Sequence, residues 1–294
     1  MIRIAEEVGS ADAVVALETT LVAHGFPTGE GVAVGLESER RVRSAGAVPA
    51  TVGVLDGEIV VGLTADELER FDATARKVGP RDLAACAHQR ATGATTVGGT
   101  LAVARAIGIR FMGTGGIGGV HRDWQERPDV SADLHELART QALVVAAGAK
   151  SLLDVPATME VLESLGVPVL GFGTDELPLF YAARGGPPTS ARVDSADEAA
   201  GIALAHWELG GAGVLVARPP DESLDDVESL IDEAVREARD RSIEGQAVTP
   251  FVLAYLHEQS EGLTLRANRE LVAANARLAG EIAVAASAEA PRAS

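Results

Sequence analysis

Cysteine is nearly missing from this chain. Cys86 stands alone among 294 residues, so no internal disulfide can form, and a lone thiol within Ala84-Ala-Cys-Ala87 reads as a small buried apolar side chain. Aromatic residues supply only 3% against 47% hydrophobic residues overall, so the core must be built from Ala, Val, Leu and Ile rather than from rings. Basic residues are also short. Lys and Arg number 25 against 43 Asp and Glu, a net charge of −18, and such a surface repels nucleic acid and anionic lipid. It does not exclude an anionic small molecule, because a local site can reverse the field. No Cys-x-x-Cys or His-x-x-x-His pair exists for zinc. There is likewise no Gly-x-Ser-x-Gly nucleophile elbow and no Gly-Lys-Ser/Thr phosphate-loop ending. No stretch approaches the roughly 18 unbroken apolar residues of a membrane span, and the opening Met-Ile-Arg-Ile-Ala-Glu-Glu lacks the basic-then-apolar order of an export signal. The expectation is a soluble cytoplasmic protein.

What is present alternates in a regular way. Short apolar runs bounded by Gly or Pro predict strands over Val14–Leu17, Thr51–Leu55, Ile59–Val61, Arg110–Met112, Leu143–Ala147, Val167–Gly171 and Gly213–Ala217. Asp56-Gly57 between two of them is a hairpin signal. Thr64-Ala-Asp-Glu67 and Ser195-Ala-Asp-Glu198 have the capping-box form. Pro80 and Pro156 suit first helical turns, and residues 222–240, 249–259 and 265–285 read as closing helices. Strands alternating with helices predict an α/β protein, a compact α/β/α layered arrangement with a mostly parallel central sheet. With no linker and no internal repeat, one catalytic domain over 1–294 is expected. Its core runs from about 13 to 285, and its tail frays from about Ala286.

Chemistry concentrates at the predicted strand ends. Gly113-Thr-Gly-Gly-Ile-Gly-Gly-Val-His-Arg122 follows a strand, and its glycines would let backbone amides point at an anion, with Thr114 and His121 adding side-chain donors. The same run matches a dinucleotide fingerprint literally, but no helix opens at its glycines, and Asp133 falls in a helix start rather than at a strand end. In Arg127-Pro-Asp-Val-Ser-Ala-Asp133, Asp129, Ser131 and Asp133 group oxygen atoms that fit a hard cation, sugar hydroxyls or plain helix caps. Lys150 follows the apolar run Leu143–Ala149. It is either a desolvated, nucleophilic amine or a lysine reaching back to water. Glu18 ends Val14–Leu17 and is either a general acid or a solvated strand-end carboxylate. Taken alone, Lys77 reads as a surface cation at a helix end, and Asn275 as a polar group that aims into a site or faces water.

In this order the pieces resemble one family, the pseudouridine-5′-phosphate glycosidases, also described as indigoidine-synthase-A-like. The resemblance rests on Ala16-Leu-Glu-Thr-Thr20 with His24-Gly25, Gly46-Ala-Val-Pro-Ala-Thr51, Gly93-Ala-Thr-Thr-Val97, Thr114–Arg122, Ser131–Thr140, Ala147-Gly-Ala-Lys-Ser-Leu-Leu-Asp154, Gly173-Thr-Asp-Glu176 and Asn275-Ala-Arg-Leu278. It implies Glu18 as proton donor, Lys150 as covalent nucleophile and Asp129 as ligand of Mn²⁺ or another divalent cation. Lys77, Val97, Ser131 and Asp133 fall at substrate-binding positions, with Thr114, His121 and Asn275 near them. It further implies a homotrimer that cleaves pseudouridine 5′-phosphate to uracil and ribose 5-phosphate. Thr19 stands where the family pattern has Ser, and Ala274 where it has Asn. Two other readings fit parts of the pattern: a lysine-imine aldolase acting on a sugar phosphate, and a non-catalytic nucleotide binder.

Overall fold

Runs of Val, Leu and Ala form strands here because both of their faces are covered, so every side chain finds an apolar neighbour. The computed structural model describes residues 2–289 except 28, 123, 127, 225, 226 and 244. In chain order its strands are β1 (Ile2–Ile4), β2 (Val14–Glu18), β3 (Val48–Leu55), β4 (Glu58–Val61), β5 (Arg76–Val78), β6 (Gly93–Thr95), β7 (Phe111–Gly113), β8 (Val120–His121), β9 (Leu143–Ala146), β10 (Leu153–Asp154), β11 (Val169–Phe172), β12 (Ala191–Val193) and β13 (Val214–Ala217). One 11-stranded sheet runs β1-β4-β3-β2-β7-β9-β13-β11-β12, with β6 beside β3 and β5 beside β6, while β8 and β10 form a separate ribbon. Only the β3–β4 and β3–β6 pairs of that sheet are antiparallel. The expected mostly parallel α/β/α arrangement is what the chain forms.

Alternation along the strands builds two cores. Val15, Leu17, Leu143 and Val145 pack against helices 31–44, 196–208 and 263–289. Ala16, Val144 and Ala146 face the opposite layer, where Leu101, Leu134 and Leu162 come from helices 97–107, 132–137 and 155–164. Between β2 and β7 the chain changes direction across the sheet: β3 lies on one side of β2 and β7 on the other. In an open parallel sheet such a reversal leaves a crevice outside the carboxyl ends of the strands, the usual seat of a ligand.

Local signals are met unevenly. Asp56 and Gly57, at φ 50° and 88°, turn β3 into β4 as expected. Thr64 and Glu67 cap each other reciprocally. Ser195 caps its helix, but Glu198 accepts from the amide of Asp194 instead of returning to the cap residue. Pro156 sits in the first turn of helix 155–164. Pro80 lies ahead of the Asp82 cap, outside helix 83–88. Within the segment read as helix 222–240 an α-helix spans Glu228–Asp240, and the last helix runs Leu263–Glu289. The tail expected to fray from Ala286 is therefore helical to Glu289, because Ala283 and Ala286 are buried and Ser287 Oγ bonds the carbonyls of Asp12 and Ala283. Residues 290–294 of that tail lie outside the described residues. This helix is long and apolar enough to cross a membrane, yet it packs on the sheet and is mostly buried.

Candidate active site

β2 ends on Glu18 and β7 runs into Thr114, side by side across the crevice. Glu18 is 7% exposed, and Thr114 Oγ1 donates to its Oε1 at 2.5 Å. Burial pushes the Glu18 carboxyl above its ordinary range. Lys150, the Thr114 hydroxyl and Lys77 pull it back, and Asp133 adds to the rise. The strand-end carboxylate is thus not solvated. It is a buried group poised to hold a proton.

Lys150 follows β9 through a tight turn at Gly148, whose φ of +87° and approach to the Pro178 carbonyl leave no room for a side chain. The Lys150 amide donates to the Ile117 carbonyl at 3.0 Å, which fastens this turn to the glycine-rich loop. Lys77 arrives from another direction. The helix-end surface position read for it is corrected: it lies in β5, paired with Ala94 of β6, and is partly buried. Pairing with a strand from a distant stretch overrides the local pattern. Burial, then the neighbouring charge of Lys150, hold the Lys77 amine down at about 8, against the pull of Asp133, Glu18 and Asp129.

Glu18, Lys77, Thr114 and Lys150 line one cleft. His24 and Asn268, not singled out as candidates from the sequence, line it too. Burial lowers the His24 imidazole, and its Nε2 lies 3.0 Å from the Ala75 carbonyl oxygen. Asn268 sits seven residues before Asn275 on the same helix, two turns along one face. That spacing is the signal that would have found it. Phe180, Pro250 and Leu253 supply apolar wall.

The glycine-rich loop differs from its expected use. The Thr114 amide bonds the Val145 carbonyl and that of Ile117 the Gly148 carbonyl. The Gly118 amide bonds Asp133 Oδ2, and that of Val120 bonds Thr158 Oγ1. Most donors of the loop are thus engaged inside the protein. Of the loop's glycines, Gly115 and Gly116 are the two that border the cleft. The glycines serve close packing instead: a Cβ on Gly118 would lie 2.2 Å from Ser131 Oγ.

Asp133 is 4% exposed and accepts from the Gly98 and Gly118 amides at 2.7 and 2.8 Å. It ties the loop to the first turn of helix 97–107, which opens with the fully buried Val97. Ser131 Oγ caps helix 132–137 through the Asp133 amide. Asn275 neither faces water nor enters the cleft. It is fully buried, its Nδ2 donates to the Thr114 and Gly115 carbonyls at 2.8 and 3.4 Å, and its Oδ1 has no partner among the described residues. Val97, His121, Asp129, Ser131, Asp133 and Asn275 are not among the residues that line the cleft.

His121 Nε2 stands 3.7 Å from Asp129 Oδ2, and its amide donates to the Asp129 carbonyl. Among the described residues no cluster of three His, Cys, Asp or Glu side chains is arranged for a metal. Arg127, next to this pair, lies outside the described residues. A single half-exposed carboxylate still fits a hard divalent cation that keeps water for most of its shell.

A family model described as indigoidine synthase A like protein matches residues 3–285. A pseudouridine-5′-phosphate glycosidase of Streptomyces griseus is 50% identical over 93% of this chain and 87% of its own length. Another, from Brachyspira hyodysenteriae, is 45% identical over 95% and 94%. Among solved structures, a prealnumycin C-glycosynthase in complex with ribulose 5-phosphate superposes with a TM-score of 0.88 at 39% identity, covering 98% of this chain and 97% of that one.

Proposed function

Because the chain belongs to the indigoidine synthase A like family, we propose that it reversibly cleaves the C–C glycosidic bond of pseudouridine 5′-phosphate to uracil and ribose 5-phosphate, in the catabolism of that nucleotide in the cytoplasm. The observation that carries this reading is the meeting of a buried carboxyl, Glu18, with two amines, Lys150 and Lys77, in one cleft at the switch point of the sheet. Relatives named for the same reaction, and a structural neighbour holding a sugar 5-phosphate, support it.

The chemistry must let carbon leave as though it were an ordinary leaving group. In this reading Glu18 gives its proton to the ribose ring oxygen as the ring opens. The uncharged amine of Lys150 bonds to C1′, and the proton it loses returns to the Glu18 carboxylate. That proton passes to the uracil carbon, the C–C bond breaks, and its electrons stay with the uracil ring. The sugar remains on Lys150 as an imine, and water releases ribose 5-phosphate. Covalent attachment splits one hard step into easier ones. Asn268 and the apolar wall face the base, while Lys77 and the Gly115 and Gly116 amides receive the phosphate.

Asp129 would hold Mn²⁺ or a similar cation, with His121 beside it, and the bound ion would supply positive charge that orients substrate and water. Trp124 and Val130, close to Asp129 in the sequence, are exposed and supply apolar surface for the homotrimer that the family resemblance implies.

Incubation with pseudouridine 5′-phosphate and Mn²⁺ is expected to release uracil stoichiometrically with ribose 5-phosphate. Chelation should stop the release and Mn²⁺ restore it, and Asp129→Ala should need far more metal. Absence of uracil under metal-replete conditions would overturn the reading. Full turnover by protein shown to be free of metal would remove Asp129 from it.

Lys77 leads to a second expectation. An ammonium that pairs with a phosphate contributes a charge-assisted bond of roughly 1.5–3 kcal/mol. Lys77→Met should therefore raise KM for the nucleotide about 10- to 100-fold while changing turnover of unphosphorylated pseudouridine little. The Lys77 amine is charged below about 8, so kcat/KM for the nucleotide should fall as pH rises through that value, and this fall should vanish in Lys77→Met. Equal losses for nucleotide and nucleoside would place Lys77 elsewhere in the mechanism.

A further inference from the structure

Among the described residues, the side chain that hydrogen-bonds the Glu18 carboxyl is Thr114. Thr114 Oγ1 donates to Glu18 Oε1, and Thr114 is itself the first residue past β7, where its own amide bonds the Val145 carbonyl. Asn275, from the middle of helix 263–289, adds a second hold on this stretch by donating one amide group to both the Thr114 and Gly115 carbonyls. Fully buried and with Oδ1 lacking a partner among the described residues, Asn275 stands where an apolar side chain would leave no orphaned acceptor. A buried polar group kept in such a place calls for an explanation, and its two donated bonds provide one. We propose that Thr114 and Asn275 are positioning residues: Asn275 anchors the loop, and Thr114 thereby aims the Glu18 carboxyl and sets how firmly it holds its proton.

The inference rests on Glu18 being the acid, and it redefines two residues expected at the substrate. The hydroxyl of Thr114 favours the charged carboxylate, so its loss should leave Glu18 holding its proton to higher pH. The other charged groups facing Glu18 are Lys150, Lys77 and Asp133, and none of them changes in the test. A residue that only filled space would not move this titration, and one that touched substrate would act on KM.

The experiment is carbon NMR titration of the Glu18 carboxyl in the full-length protein, with steady-state kinetics beside it. Thr114→Val should move the Glu18 titration to higher pH and lower kcat roughly 10- to 100-fold, as misplacement of a catalytic group does, with KM within about twofold. Thr114→Ser should restore both. Asn275→Leu should lower kcat in the same way. Should that variant fail to fold, the Thr114 pair still decides the matter. An unmoved titration in Thr114→Val, or a loss expressed in KM and not rescued by Ser, would overturn the inference. The parent reading fails by a different result: Glu18→Gln retaining turnover. The titration itself needs no activity, so the two failures can be told apart.

Discussion

Lys150→Arg is expected to abolish uracil release, by roughly 10³-fold or more, while nucleotide binding stays within a few-fold of the parent. Arginine keeps the positive charge beside Glu18 and Lys77 but has no lone pair to form the bond to C1′. The product offers a direct trap. Open-chain ribose 5-phosphate presents an aldehyde, so the sugar alone should condense with Lys150, and borohydride should fix it there as a stable secondary amine. Peptide mass analysis locates the adduct. Lys77 makes this a demanding test, because it lies in the same cleft and its amine, held down at about 8, is the more obvious nucleophile on charge grounds alone. Geometry argues for Lys150. It is fastened through its amide to Ile117, on the turn beside the loop that carries Thr114, and its charge acts on Glu18 more strongly than that of Lys77. An adduct on Lys77, or near-normal turnover by Lys150→Arg, would exchange the roles of the two lysines.

Why Lys150 was legible in the sequence and Lys77 was not comes down to the range of the interactions that place them. An apolar run ending in Gly-Ala-Lys announces a buried strand and its exit, so the strand ends at Glu18 and Lys150 and the α/β class follow from local pattern. β5 and β6 span three residues each, and β6 holds to β3 and β5 through pairings far apart in the chain. Their pattern says little until the sheet exists, so the resemblance to a family, not the residues, marked Lys77. The glycine-rich loop misled for a related reason. Glycine permits both anion cradling and close packing, and only the placement of Asp133, Thr158 and Gly148 shows that its amides are mostly engaged within the fold. Asn275 stood out as polar in an apolar helix, but what it bonds lies some 160 residues away.

Glu18→Gln is expected to cost roughly 10²- to 10⁴-fold in kcat, the range that a positioned proton donor contributes. Glutamine has the same size, and its carbonyl oxygen can still accept from Thr114, so a loss would report the missing proton rather than a disturbed loop. The pH profile sharpens the assignment. Burial raises the Glu18 carboxyl above its ordinary value. The protonated, active acid therefore persists to higher pH than for a solvated carboxyl, and kcat/KM should fall as pH rises through the raised value. Lys77 would contribute a separate fall near its own titration at about 8, which Lys77→Met removes, leaving the Glu18 limb exposed. In Glu18→Gln that remaining limb should be absent from whatever activity persists. Substrates whose ring oxygen needs less help from an acid should lose less. If Glu18→Gln turned over within threefold of the parent, or kept the limb unchanged, the proton would have to come from elsewhere, and the buried carboxyl would be left as the countercharge to Lys150.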